Sequence, residues 1–156
     1  MRQSATAPTW DKNTELLKQK KFNQATEHFY QNFNDRNAKS TISKLLIGFV
    51  GSELLESIPK DERIRIFDFF ENILAFAELV RNAKDEGKTV EILQFETILN
   101  QSFPTSKKDV NRFIKQAFTN FIDSEIANDY LIRSDVAYKI ETLTKCCNKF
   151  YKIVND

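Results

Sequence analysis

Only three glycines and three prolines punctuate this chain of 156 residues, and that scarcity constrains its fold more than any other feature. Sandwiches and barrels turn every ~8–12 residues and draw on Gly, Pro, Asn and Asp to do so. Few breakers mean long segments, and the apolar residues recur at helical rather than strand spacing. The chain therefore reads as all-α, a bundle of about six to eight helices packed around one core.

Residues 1–9 are small and polar and read as a flexible lead, with a single helical domain over 10–156. A short helix is predicted over 10–20, beginning at Trp10. A second starts at Phe22, where Phe22, Ala25, Phe29 and Phe33 share one face. Residues 34–37 read as a loop. Ser40 or Thr41 then caps a helix carrying Ile42, Leu45, Leu46, Phe49, Val50 and Leu54. Gly48 and Gly51 lie in that helix, where each costs about 1 kcal/mol relative to Ala. Such a cost is tolerated where another helix or a ligand approaches the backbone. Pro59 ends the segment.

Asp61 and Glu62 favour a new helix start through the helix dipole. Ile66, Phe69, Phe70, Ile73, Phe76, Ala77 and Val80 stripe the long helix that follows, and Phe67 and Leu74 mark a second covered side. Gly87 suits its C-cap. Thr89 reads as the start of a helix with Ile92, Leu93, Phe95, Ile98, Leu99 and Phe103, closed by Pro104. Ser106 with Asp109 resembles a capping box. The helix it opens is striped by Val110, Phe113, Ile114, Ala117, Phe118, Phe121, Ile122 and Ile126.

The last helix is predicted from Ser134. Val136, Ile140, Leu143, Cys147, Phe150 and Val154 step by fours and threes, the spacing of a heptad seam. A short link over 129–133 makes the last two helices an antiparallel hairpin, and two such hairpins pair as a four-helix bundle across a dimer axis. The predicted dimer contacts are Val110, Ile114, Phe121, Val136, Ile140, Leu143, Cys147 and Phe150. No repeat recurs at a fixed period. Residues 21–33 read like one helix of a tetratricopeptide unit, but such units come in sets of about three or more.

Charge and cysteine usage narrow the partners. Twenty-three basic residues face 22 acidic ones, and a net charge of +1 offers no global field for phosphates or an anionic surface. Lys18, Lys20 and Lys21, or Lys107 and Lys108, read as solvated helix surface, so nucleic acid is not an expected partner. No run approaches the ~18 apolar residues of a membrane span, and no apolar stretch at the N-terminus resembles a signal peptide. Membrane insertion is therefore not expected. Cys146 and Cys147 are adjacent, a spacing that disulfide geometry accommodates only with severe strain. Unpaired thiols point to a reducing, cytoplasmic location.

Catalytic patterns are missing. The single histidine, His28, excludes multi-histidine zinc sites. Its neighbour Glu27 does not face it on a helix. The sequence holds no glycine-rich phosphate loop, no Gly-x-Ser-x-Gly and no cysteine–metal spacing. The expectation is a non-enzyme with no catalytic residue, metal or cofactor, and with Cys146 and Cys147 as helix-packing residues. What stands out is phenylalanine, 14 residues against one Trp and four Tyr. These side chains either fill a core or line an apolar cavity, and periodicity alone does not separate the two.

The order of elements carries a resemblance. Two leading helices and a long middle helix run into Gly87-Lys88-Thr89-Val90-Glu91-Ile92-Leu93, then into a helix ending Leu99-Asn100-Gln101-Ser102-Phe103. Two long terminal helices follow, joined through Asn120-Phe121-Ile122-Asp123-Ser124-Glu125-Ile126-Ala127-Asn128-Asp129-Tyr130. Over residues 22–154 this pattern resembles the haem-free, globin-like sensor domains at the N-termini of stressosome proteins and of some Bacillus sporulation sensor kinases. The resemblance is one of pattern and spacing. It implies a globin-like fold without haem, and the helix over 89–103 indeed carries no proximal histidine. It also implies an apolar tunnel, sometimes holding a fatty acid, and a homodimer through the last two helices. Facing stripes make Phe29, Phe49, Phe70, Ile73, Phe76, Phe95 and Leu99 the tunnel candidates. In that family the terminal helices pass a signal to an output domain. Here the sequence ends at Asp156, so the expectation is a free-standing domain that pairs or competes with a sensor histidine kinase.

Three functions are weighed. The first is a regulatory sensor domain that binds a fatty acid in an internal tunnel and modulates a sporulation or stress histidine kinase. The second is a solid-core helical interaction module, such as an immunity protein or an anti-activator, that binds a protein through its surface. The third is an enzyme, for which no constellation of acid, base or nucleophile stands out. A filled interior favours the second over the first.

Overall fold

The computed structural model describes residues 2–100 and 107–155, with the side chains of 12–98 and 108–155, and the described residues hold no strand. The protein is all-α. Six α-helices follow in order: α1 (Arg2–Asn32), α2 (Asp35–Gly51), α3 (Lys60–Asp85), α4 (Ile92–Asn100), α5 (Lys107–Ile122) and α6 (Tyr130–Asn155). Short 3-10 turns, Glu53–Ser57 and Glu125–Asn128, separate α2 from α3 and α5 from α6. Phe103, Pro104 and Ser106, together with the side chains of Trp10, Leu99 and Lys107, lie outside the described residues.

Several boundaries differ from the sequence reading, each for a local reason. One continuous helix, α1, runs where a flexible lead over 1–9 and two helices split near Lys21 were expected. Nothing between Lys12 and Asn32 is a Gly or Pro, so nothing breaks the helix over that stretch, where the split near Lys21 was expected. The loop expected over 34–37 is the first turn of α2. The side chain of Asn34 accepts a hydrogen bond from the Asn37 backbone N–H at 3.0 Å and caps the helix, which leaves Thr41 buried inside it. Asp35, in that first turn, pairs with Arg81 of α3 at 3.2 Å and ties the two helices.

Helix α3 follows its predicted stripe. Ile66, Phe69, Phe70, Ile73, Phe76, Ala77 and Val80 are its buried residues, and Phe67 and Leu74 are half-buried against the core. It ends in a Schellman motif: Gly87 takes φ +67°, and the Lys88 N–H reaches back to the Ala83 carbonyl at 2.7 Å. Helix α4 begins at Ile92 rather than Thr89. Val90 is pulled into the core, and the Gln94 side chain caps the Glu91 N–H at 2.9 Å. Helix α6 begins at Tyr130 rather than Ser134, because Asp129 caps it by accepting from the N–H groups of Leu131 and Ile132. The expected link over 129–133 is thus mostly helix. Ile126, read as part of the α5 stripe, sits in the 3-10 turn instead.

The core joins all six helices. Helix α2 packs chiefly on α5, and α6 packs chiefly on α1. α5 and α6 also touch, but for neither is the other the main partner. The α2–α5 crossing explains a glycine. A Cβ on Gly48 would stand 2.6 Å from Phe121 Cδ1, 2.7 Å from Ser124 Oγ and 3.1 Å from Ile126 Cγ2. Gly51 faces open space, so there the residue is not needed for close approach.

Candidate functional site

The interior comes first, because the sequence reading placed the ligand there. Phe22 and Phe29 of α1, Phe76 of α3, Phe95 of α4 and Phe150 of α6 converge on one point. Phe150 lies 5.4 Å from Phe22, 5.8 Å from Phe29, 5.3 Å from Phe76 and 5.1 Å from Phe95, centroid to centroid. Phe76 also meets Phe29 at 5.3 Å and Phe95 at 5.1 Å. Nearly all these pairs are tilted or edge-on, the favoured geometry for quadrupoles in contact. All five rings are at most 2% exposed. Four tunnel candidates, Phe29, Phe76, Phe95 and, one layer away, Phe70 against Phe69 at 5.1 Å, are therefore packed on other rings. Phe49 meets Phe67 at 5.6 Å, and Ile73 is buried in the same core. None of the grooves described below is lined by any of these six residues.

The predicted dimer contacts lie inside one copy. Val110, Ile114, Phe121, Val136, Ile140, Leu143, Cys147 and Phe150 are each 5% exposed or less. The heptad seam of α6 is taken up by α1 and α5 of its own chain, so these eight side chains offer no surface to a second subunit. Exposed apolar residues on α6 are elsewhere, at Tyr130, Leu131 and Tyr138.

The reactive residues are engaged or shielded. Glu27 pairs with Lys84, which also lies 4.9 Å above the Tyr30 ring, and His28 is exposed beside Asn32. Cys146 and Cys147 are buried free thiols. Burial pushes both above the ordinary thiol range, with Lys149 opposing it at Cys146 and the neighbouring Cys146 reinforcing it at Cys147. Both therefore stay protonated and unreactive near neutrality. Burial likewise raises the Tyr151 phenol, with Cys147 adding to it. Among the described residues no cluster of three His, Cys, Asp or Glu side chains can hold a metal ion.

Three sizeable grooves lie among the described residues. Between α1 and α6 lies one of about 440 Å³, lined by Thr14, Leu17, Lys18, Lys21 and Gln24 on α1 and by Lys149, Lys152 and Ile153 on α6. On the adjacent face of α1, with Lys18 bordering both, Leu16 lines with Ile92 and Leu93 a groove of about 600 Å³ with mixed charge at its rim. Gln19 closes the inner end of that contact, donating to the Val90 carbonyl at 3.0 Å and accepting from the Ile92 N–H at 3.3 Å. The third groove, about 530 Å³, runs between the end of α2 and the α5–α6 turn, where Ile47 and Ile126 sit among Glu53, Asp123 and Glu125. Val50, Leu54 and Ile122, expected in the core, are 50%, 39% and 44% exposed.

Sequence reasoning singled out Lys18 and Lys21 but read them as plain surface. It had no means of pairing them with Lys149 and Lys152, which lie at the other end of the chain. No helix among the described residues is long and apolar enough to cross a membrane. No family model, curated protein or solved structure matches this chain.

Proposed function

We propose that this chain is a non-enzymatic binding module that recognises its partner through its outer surface, in the manner of a helical immunity protein or anti-activator. The observation that supports this reading is the ring cluster around Phe150, which occupies the middle of the bundle where a tunnel would have to run. Admitting an acyl chain there would part ring pairs, each contributing about 0.5–1.5 kcal/mol beyond its area burial. The surface needs no such rearrangement. Leu16, Leu17 and Leu93 are already 63%, 55% and 70% exposed and lie beside open grooves. Two shielded, unpaired thiols fit a reducing compartment.

The second reading is the fatty-acid sensor implied by the family resemblance, acting on a histidine kinase as a homodimer. One feature favours it: the α1–α6 groove offers lysines and apolar side chains together, the chemistry an amphiphile's carboxylate and chain require. Its dimer would use the outward side of α6, with Leu131 and Tyr138, in place of the buried seam. Native mass spectrometry after gentle purification separates the two readings, with melting measured on addition of long-chain fatty acids. The surface module carries no lipid and its melting does not move. A co-purified acyl chain together with a raised melting temperature would overturn it.

A further inference from the structure

Among the grooves, the one between α1 and α6 is singular in its charge. Among the described residues its lining holds four lysines, Lys18, Lys21, Lys149 and Lys152, and no acidic residue. None of the four makes an ion pair among the described residues. By contrast Lys39, Lys84, Lys88, Lys139 and Lys145 each sit on a carboxylate. A chain of net charge +1 thus gathers along one cleft four lysines that have no ion pair among the described residues, two from each end of its sequence, with Lys18 also bordering the neighbouring groove and its glutamates. Between the two banks lies Leu17, more than half exposed, above Ile153, which is buried in the core. The α1 bank extends from Thr14 to Gln24, about 15 Å at helical rise.

We propose that this groove is the docking site for an acidic amphipathic helix of a partner protein. Its apolar stripe would seat on Leu17 and the methylene stems of the lysines, and its flanking carboxylates would pair with Lys18 and Lys21 on one bank and Lys149 and Lys152 on the other. The proposal rests on the surface-binding reading above and names the partner's chemistry. An amphipathic helix laid in a groove presents apolar anchors at i, i+3, i+4 and i+7 with charges on both flanks, which is the pattern these residues complement. The lysines are spread along two helices, whereas a single lipid carboxylate engages one point. A nucleic-acid backbone supplies phosphates but no apolar stripe to cover Leu17. The lysine stems add to the apolar contact while their ammonium groups stay in water, so the site is formed before the partner arrives.

The test uses the whole chain and two synthetic helices of about 15 residues, matched to the length of the groove. One carries leucines at i, i+3, i+4 and i+7 flanked by glutamates, and the other has lysine in place of every glutamate. Calorimetry and backbone amide shifts report binding and its place. The glutamate helix is expected to bind, with shifts confined to residues 14–24 and 149–153, and to weaken about tenfold or more between ~50 mM and ~500 mM salt. The lysine helix should not bind. Lys149→Glu with Lys152→Glu, both exposed, should abolish binding while leaving the melting temperature in place. The proposal is overturned if the two helices bind alike, if shifts fall elsewhere, or if neither binds. It is overturned equally if dodecanoate, a short RNA or a second copy of the chain takes the groove instead. A chain free of lipid that ignores the glutamate helix sinks this proposal alone. A lipid held among the Phe150 rings sinks the surface reading beneath it.

Discussion

Helix α1 is two helices in its chemistry. From Phe22 to Asn32 it presents Phe22, Ala25 and Phe29, all 3% exposed or less, to the middle of the bundle. From Lys12 to Lys21 it is lined by open grooves on two adjacent faces, and Leu16 and Leu17 point to water. Gln19, bonded to Val90 and Ile92, marks the transition. The same backbone therefore serves folding in one half and offers surface in the other. Apolar residues that complete a fold leave nothing for a partner, whereas those left over at the edge of a core remain free to bind. That division separates a module that binds outside from one that binds within.

The strongest way to break this comparison is to truncate the inner half. Phe29 touches Phe33, Phe76 and Phe150 at 5.3–5.9 Å, so Phe29→Ala leaves a cavity that three other rings border. Buried Phe→Ala changes cost about 3–5 kcal/mol, a large share of the roughly 5–15 kcal/mol that holds a domain together. The urea midpoint should fall accordingly. A loss under about 1 kcal/mol would mean that the rings relax around the gap, and that the interior is loose enough to admit a ligand.

A second closed region should behave like the inner half. Gly48→Ala places a methyl group 2.6 Å from Phe121 and 2.7 Å from Ser124, closer than any real contact allows. Overpacking of this kind costs about 1–3 kcal/mol, measurable as a lower melting temperature. Gly51→Ala is the internal control. It meets no neighbour and removes a poor helix former, so it should be neutral or slightly stabilising.

How far the sequence disclosed this division can be judged residue by residue. The inner stripes of α1 and α3 were legible, because residues buried on one face of a long helix repeat at a fixed period. The capping of α2 by Asn34 was missed because Asn serves loops and caps alike. The heptad seam of α6 was read correctly as buried, but the partner that buries it proved to be α1 and α5 of the same chain. Periodicity says that a face is covered, not by what. For the same reason it could not tell a lined tunnel from stacked rings. The α1–α6 groove was illegible altogether, since Lys18 and Lys152 become neighbours only through tertiary packing.

The inner half can also be probed by pH. In the unfolded chain Cys146 and Cys147 ionise near the ordinary thiol value of 9.0, while burial in the fold holds them protonated. The preference for the folded state is complete below about pH 9 and is lost as pH rises past it, because the unfolded chain then binds fewer protons. The fully buried Cys147, if it stays protonated, weakens stability by at most about 1.4 kcal/mol per pH unit in that range, and Cys146 adds in the same direction. The urea midpoint of the native chain should therefore drop more steeply between about pH 8 and pH 10 than that of a Cys146→Ala, Cys147→Ala variant. Equal slopes would show that water already reaches this face of α6, next to Phe150.

The smallest expected effect is also the most informative about the outer half. Leu16 and Leu17 are 63% and 55% exposed, so Leu16→Gln and Leu17→Gln remove little buried area and should shift stability by no more than about 0.5 kcal/mol. Their cost should appear in binding instead. Leu17→Gln should weaken docking in the lysine-lined groove, whereas Leu16→Gln, which lines the adjacent groove against α4, should have the smaller effect. Melting curves and titrations on the same samples separate the two quantities. If either change lowered the melting temperature as Phe29→Ala does, the outer half would be part of the fold after all. The proposed helix would engage Leu17, which the fold can spare, together with lysines that have no ion pair among the described residues.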